Sequence, residues 1–119
     1  MTFQADLPQP ADMAARLAPI RAHFIGTLPP RRDRLTSFLD SFDRPEVDPA
    51  IMRQLQEDAH KMRGVAPTLG FTSLGQAAAL VDELLEPWHS SNDGIPVNER
   101  IIDGLALLLA EIEETIAAR

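Results

Sequence analysis

Residues 48–70, DPAIMRQLQEDAHKMRGVAPTLG, are the stretch of the chain that decides the fold. Asp48 followed by Pro49 is a typical helix start, because aspartate caps helix N-termini and proline is favoured at the first helical position. We predict a helix from here to about Thr68. At about 100° per residue, one side of this helix carries the residues expected to face a core: Ile51, Leu55, Met62, Ala66 and Leu69. The opposite side, which carries His60, is predicted to face water.

Outside that stretch, apolar residues also recur every three or four positions, and no segment alternates apolar and polar residues as a strand would. We predict a loose lead-in at residues 1–10 and four further helices. The first is a short helix at 11–18 that ends at Pro19, and the second runs from Pro19 to about Phe42 with a kink at Pro29 and Pro30. The next helix begins at Ser73, which with Gln76 forms a capping box, and is limited by Pro87. The last runs from about Ile101 to the C-terminus, after a turn at 90–96. The predicted fold is all-α: an antiparallel up-down-up-down four-helix bundle with a short extra N-terminal helix.

The composition limits the classes of function. The chain has 119 residues, 45% of them hydrophobic, which suits a single domain over residues 1–119. Its formal net charge of -7 disfavours sequence-independent binding to nucleic acid or anionic lipid. The chain has no cysteine, no secretory signal and no apolar stretch long enough to span a membrane. We expect a cytoplasmic protein that binds neither nucleic acid nor membrane.

His60 is the candidate for chemistry on the water-facing side of the helix. A neutral imidazole is a nucleophile at physiological pH, and Arg63, one helical turn on, can reach a phosphoryl group carried by this histidine. Gly64 costs about 1 kcal/mol of helix stability relative to alanine, so we infer that its missing side chain leaves room for a partner. The other candidate contacts on this face are Arg53, Gln56, Glu57 and Pro67.

The residues around His60 also form a recognisable pattern. It consists of Ala59-His60-Lys61-Met62-Arg63-Gly64, then Leu69-Gly70-Phe71 and Leu74. This pattern resembles the histidine-containing phosphotransfer (HPt) domain of bacterial two-component phosphorelays. The resemblance implies that His60 is phosphorylated on its outer ring nitrogen and that Gly64 gives a partner access.

The resemblance also implies roles for the flanking residues. Arg63 occupies the position where many family members have a lysine, and Lys61 would contact the partner. Pro67 departs from the pattern, since members usually have a small helix-compatible residue there. A proline at this position forfeits a backbone hydrogen bond to the carbonyl of Arg63, so we expect the helix to be disturbed just past the site.

The implied function is that of a phosphorelay intermediate. His60 would carry a phosphoryl group between the aspartates of receiver domains, one in a hybrid histidine kinase and one in a response regulator. The resemblance places Mg²⁺ on the partner receiver, and we expect no cofactor in this chain, no kinase activity and a monomeric state. The alternative is an adaptor of the same fold that binds a receiver or kinase without being phosphorylated.

A metal-binding bundle is a third alternative. Glu57-x-x-His60 and Glu86-x-x-His89 both have the Glu-x-x-His spacing of di-iron bundles. We predict no metal site, because His60 points outward and Pro87 interrupts the second motif.

Other conspicuous side chains have structural interpretations. His23 and His89 are predicted to be solvated histidines, and Trp88 is predicted to lie in the core at one end of the bundle. The basic residues of the second helix are predicted to form a solvated face; they are Arg31, Arg32 and Arg34.

Overall fold

The structure is a computed structural model that describes residues 10–41, 48–90 and 97–118. Those residues form five α-helices: α1 (Pro10–Gly26), α2 (Leu28–Asp40), α3 (Pro49–Val65), α4 (Thr72–Ser90) and α5 (Glu99–Ala117). No strand occurs in these ranges, which confirms the all-α prediction. Within the same ranges, no helix has the length and apolar character needed to cross a membrane. The predicted lead-in up to residue 9 and the predicted turn at 91–96 lie outside the described residues.

The first helix differs from the prediction at its end. α1 continues through Pro19 to Gly26, so the predicted stop at Pro19 is wrong. Proline there leaves the carbonyl of Ala15 without its intrahelical donor, but both residues are exposed and water can take the donor's place. Regular helix is interrupted instead at Thr27, whose N–H donates to the carbonyl of Phe24 at 2.9 Å.

The predicted kink at Pro29 and Pro30 is also wrong. Both prolines lie in the first turn of α2, directly after the break at Thr27. The first backbone N–H groups of a helix have no intrahelical acceptor, so proline costs little there. α2 ends at Asp40, and its predicted end at Phe42 lies outside the described residues.

α3 begins as predicted and ends early. The Asp48 carboxylate accepts the N–H of Ala50 at 2.9 Å, and Pro49 is the first helical residue. Regular helix ends at Val65, before the predicted end near Thr68, because a proline at position 67 has no N–H to continue the ladder. Turns then lead to Gly70, whose φ of +89° is a left-handed conformation that glycine adopts without strain.

α4 and α5 complete the helical set. α4 begins at Thr72, so Ser73 lies inside the helix instead of capping it, and α4 runs past Pro87 to Ser90 against the predicted limit. Pro87 and Glu83, whose carbonyl loses its donor, are both exposed to water. Asn98 caps α5 through its side-chain oxygen, which accepts the N–H of Ile101 at 3.0 Å.

The core lies where α2 to α5 meet. α3 packs against α4, α4 against α5 and α2 against α5, with smaller contacts from α2 to α1 and to α3. The largest fully buried side chains include Leu28, Met52, Met62, Leu74, Leu85, Leu105, Leu108 and Ile112. Trp88 is buried, as predicted. Ile51 is 46% exposed against prediction, because it lies at the start of α3 beside an open groove between α2 and α3.

A buried carboxylate ties α2 to α3 and sets the direction in which His60 points. Asp58 accepts two hydrogen bonds from Arg34, Nε at 2.7 Å and Nη2 at 2.8 Å, and Nε of Arg31 lies 3.8 Å from the same carboxylate. The prediction that Arg31 and Arg34 are merely solvated is therefore wrong. Residues two apart on a helix point in nearly opposite directions, so anchoring Asp58 inward turns His60 outward.

Gly75 in α4 makes room for the proline that follows α3. A Cβ at residue 75 would lie 2.5 Å from Cγ and 2.9 Å from Cδ of Pro67, closer than van der Waals contact allows. Pro67 and Gly75 therefore fit one another at the top of the α3/α4 pair, where the chain leaves the candidate site.

Gly75→Ala is expected to lower the free energy of unfolding by about 1 to 2 kcal/mol, because overpacking outweighs the gain in helix propensity. Urea unfolding followed by circular dichroism measures the change. Adding Pro67→Ala should restore most of the loss, since it removes the ring that the new methyl group meets. A single Gly75→Ala variant as stable as the wild type would contradict this account of the contact.

Candidate functional site

His60 lies on the outer side of α3. Its side chain is 71% exposed, as the helical phase predicts. Its neighbours Ala59 and Met62 are fully buried, so α3 is rigidly packed on its inner side. The imidazole therefore projects from a rigid helix and is accessible to a partner.

The acidic partner of His60 comes from α4. Nδ1 of His60 lies 3.0 Å from Oδ2 of Asp82, a residue that is only 6% exposed. Asp82 is not among the site residues predicted from the sequence, although a signal was present. In a helical hairpin turned near Phe71, positions 60 and 82 are equally far from the turn and stand at the same level.

Asp82 accepts hydrogen bonds from two further side chains of α3. Nε2 of Gln56 donates to Oδ1, and Nη1 of Arg63 donates to Oδ2 at 3.2 Å. Gln56 was predicted to face water and is instead 6% exposed, because it lies on the edge of α3 that packs against α4. It supports the carboxylate beside His60.

These contacts keep Asp82 ionised. Burial works to raise its pKa, but the hydrogen bonds from His60, Gln56 and Arg63 outweigh burial and hold the pKa of Asp82 below its ordinary value. An ionised carboxylate is only an acceptor, so the neutral imidazole must carry its proton on Nδ1. The lone pair is then on Nε2, and His60 is set up as a nucleophile at that atom.

Arg63 lies between two acidic residues of α4. Besides its bond to Asp82, its Nη2 lies 3.6 Å from Oε1 of Glu83. The guanidinium and the imidazole share the same Asp82 oxygen and are therefore neighbours, as their spacing on α3 predicts. Arg63 was predicted from the sequence, but its carboxylate partners Asp82 and Glu83 were not.

The other predicted contact residues near His60 differ in their exposure to solvent. Glu57, Lys61, Gly64 and Pro67 are exposed, and Arg53 is half-buried. A groove of about 460 Å³ runs beside the histidine and is lined by Gln56, Glu57, His60, Lys61, Asp82 and Glu86. A partner docked over His60 would cover this groove.

The described residues offer no support for the metal-binding alternative. Among them, no group of three or more histidine, aspartate or glutamate side chains is placed to hold a metal ion. The side chain of His89, in the second Glu-x-x-His motif, lies outside the described part of the chain.

Gly64 borders the site in open space, one turn beyond His60. A Cβ added there would meet nothing within 4 Å. Gly64→Ala is therefore expected to raise the free energy of unfolding by up to about 1 kcal/mol. Thermal melts of the two proteins test this expectation.

The same position tests partner access. Gly64→Leu should fold at least as well as the wild type yet accept phosphate from a receiver more slowly, because a long side chain would stand where the partner approaches. Transfer at the wild-type rate by Gly64→Leu would show that the glycine is not needed for access.

An all-helical bundle that presents an exposed, oriented imidazole fits the class of histidine phosphotransfer modules. The family model of the Hpt domain matches residues 19–115, from the middle of α1 into the last turn of α5. The chain therefore belongs to the Hpt family, which confirms the resemblance found in the sequence. Comparison with curated proteins and with solved structures gave no match.

Membership of the family defines the kind of protein. Hpt domains are phosphocarrier modules of two-component phosphorelays, and they interact with receiver domains and kinases.

Proposed function

We propose that this chain carries a phosphoryl group on Nε2 of His60, between the aspartate of a receiver domain in a hybrid histidine kinase and that of a response regulator. The observation that carries the proposal is the hydrogen bond between Nδ1 of the exposed His60 and the buried, ionised Asp82. This contact leaves the Nε2 lone pair facing outward.

The transfer step uses that lone pair. Nε2 attacks the phosphorus of the receiver's aspartyl phosphate, the new N–P bond forms, and the P–O bond breaks with its electron pair leaving on the receiver carboxylate. The proton on Nδ1 stays hydrogen-bonded to Asp82, which offsets the positive charge that the imidazole gains. The reverse step passes the phosphoryl group to the next receiver.

The remaining groups assist from either side. Arg63 supplies positive charge next to the phosphoryl group, and Gly64 lets the receiver come close. Arg53, Glu57, Lys61 and Pro67 form the surrounding contact surface, while Gln56 acts from beneath by holding Asp82. In this proposal the receiver brings Mg²⁺ in its own acidic pocket, and the chain needs no cofactor and has no kinase activity of its own.

The proposal includes an arrangement of the helices. α2 to α5 form an antiparallel up-down-up-down four-helix bundle, with α1 as the extra N-terminal helix, in one domain over residues 1–119. In support, α3 contacts both α2 and α4, and α5 contacts both α4 and α2, so the four helices close a ring. We propose that the protein acts as a monomer in the cytoplasm and does not bind nucleic acid.

Incubation with receiver domains that carry radiolabelled phosphate tests the proposed function. At least one receiver of the same organism should transfer label to the full chain, and the label should be labile in acid and stable in base, as phosphohistidine is. Tight binding of a receiver without any labelling would favour the unphosphorylated adaptor and contradict the proposal.

A further inference from the structure

The guanidinium of Arg63, beside His60, already contacts two carboxylates in the structure. Nη1 of Arg63 donates to Asp82 at 3.2 Å, and Nη2 lies 3.6 Å from Glu83. A phosphoryl group on His60 adds a charge of about -1.5 to -2 and three acceptor oxygens. Its oxygens would compete with the two carboxylates for the N–H groups and the positive charge of Arg63.

The two carboxylates differ in how firmly they hold Arg63. The Asp82 side chain is 8% exposed and also accepts hydrogen bonds from His60 and Gln56. The Glu83 side chain is 68% exposed, and its oxygen is beyond ordinary hydrogen-bond distance from Nη2. Nη2 is therefore the nitrogen that can be released, while Nη1 stays on Asp82.

We propose that Glu83 is a positioning residue that competes with the phosphoryl group for Nη2 of Arg63 and so shortens the lifetime of phosphorylated His60. The proposal rests on the proposed function, since it requires His60 to be the phosphoacceptor. Glu83 contacts Arg63 in the unphosphorylated state and competes for it in the phosphorylated state. Phosphorylated His60 is therefore less stabilised by Arg63, and it loses its phosphoryl group faster.

The size of the effect follows from exposure. Arg63 and Glu83 are 43% and 68% exposed, and ion pairs so open to water are weak. Removing the Glu83 charge should therefore lengthen the half-life of phosphorylated His60 by about two- to fivefold. The difference should shrink in 1 M salt, where the screening length falls to about 3 Å.

Phosphoramidate provides a test that needs no partner protein. It donates its phosphoryl group to histidine as its own N–P bond breaks and ammonia leaves. Wild type, Glu83→Gln and Glu83→Asp are loaded with it, the reagent is removed, and the decay of phosphohistidine is followed by ³¹P NMR. Glu83→Gln should decay more slowly, and Glu83→Asp should lie between it and the wild type.

Two controls distinguish an effect of the Glu83–Arg63 contact from an effect of losing one negative charge. Glu113→Gln removes the same charge from an exposed position on α5 and should decay like the wild type. In an Arg63→Ala background, Glu83→Gln should have no effect, because Glu83 acts through the arginine. An equal lengthening with and without Arg63 would assign the effect to direct repulsion and overturn the proposal.

The remaining outcomes are also distinguishable. Equal half-lives for wild type and Glu83→Gln at low salt would overturn the role of Glu83 and leave the proposed function intact. Failure of receivers to label a wild-type protein that phosphoramidate does label would contradict the proposed function alone. Absence of phosphate from His60 with both donors would contradict both.

Discussion

His60→Gln is expected to abolish phosphorylation by every receiver while leaving the fold unchanged. The side chain is 71% exposed and so contributes little to the core. Glutamine is the better replacement than alanine, because its amide N–H can still donate to Asp82 and spare the buried carboxylate the loss of a partner. Melting temperature and circular dichroism should match the wild type, and labelling should fall to background.

The other histidines supply matched controls for this variant. His23 is exposed on α1, and His23→Gln removes an imidazole of the same kind without touching the site. His89→Gln removes the third histidine of the chain. Both should be labelled like the wild type. Acid-labile, base-stable label on His60→Gln would show that another residue is the acceptor.

Asp82→Asn is expected to slow phosphoryl transfer to His60 by about 10- to 100-fold. The asparagine amide can present either its oxygen or an N–H where Oδ2 accepts from Nδ1, so the proton of the neutral imidazole is no longer held on Nδ1. It also removes the charge that offsets the developing positive imidazole. A hydrogen bond to a charged group contributes about 1.5 to 3 kcal/mol, and each 1.4 kcal/mol is a factor of ten in rate.

Single-turnover transfer from one phosphorylated receiver measures the loss. Asp103→Asn is the control, because it removes the same charge from an exposed position on α5. The Asp82→Asn protein should still be labelled slowly, since His60 remains exposed and can present the Nε2 lone pair for part of the time. A rate equal to that of the wild type would mean that Asp82 does not orient the nucleophile.

The same variant should change how stability depends on pH. Asp82 has a pKa below its ordinary value of 3.8, so its ionisation stabilises the fold. That contribution is fully present above pH 3.8, where the carboxylate is ionised in both states, and it is lost as the pH falls through the lowered pKa. Urea unfolding should therefore show Asp82→Asn to be less stable than the wild type at pH 7, with a difference that shrinks below about pH 4.

The helical phase of α3 predicted which side of the helix is exposed, but not where α4 lies. Gln56 and Arg63 are on one flank of His60, and Glu57 and Gly64 are on the other. α4 packs along the first flank, which buries Gln56 and brings Asp82 under the imidazole. A single helix gives no preference between its two flanks, so the sequence predicted all four residues to be exposed.

Four of the prolines do not end or kink a helix as the sequence predicts. Pro19 and Pro87 lie inside α1 and α4, at exposed positions where water can satisfy the freed carbonyl. Pro29 and Pro30 lie in the first turn of α2, where no hydrogen bond is lost. The position of each of these four prolines, exposed within a helix or in its first turn, keeps the cost low, and exposure depends on packing that sequence spacing predicts only in part.

The central claim is that Asp82 directs phosphorylation to Nε2 of His60. The most direct test is NMR of the phosphorylated protein with ¹⁵N-labelled imidazoles, in which the ³¹P–¹⁵N coupling identifies the nitrogen that holds phosphorus. We predict coupling to Nε2 of His60, with Nδ1 still protonated and bonded to Asp82. Phosphorus on Nδ1 of His60, or on the imidazole of any other histidine, would contradict the account.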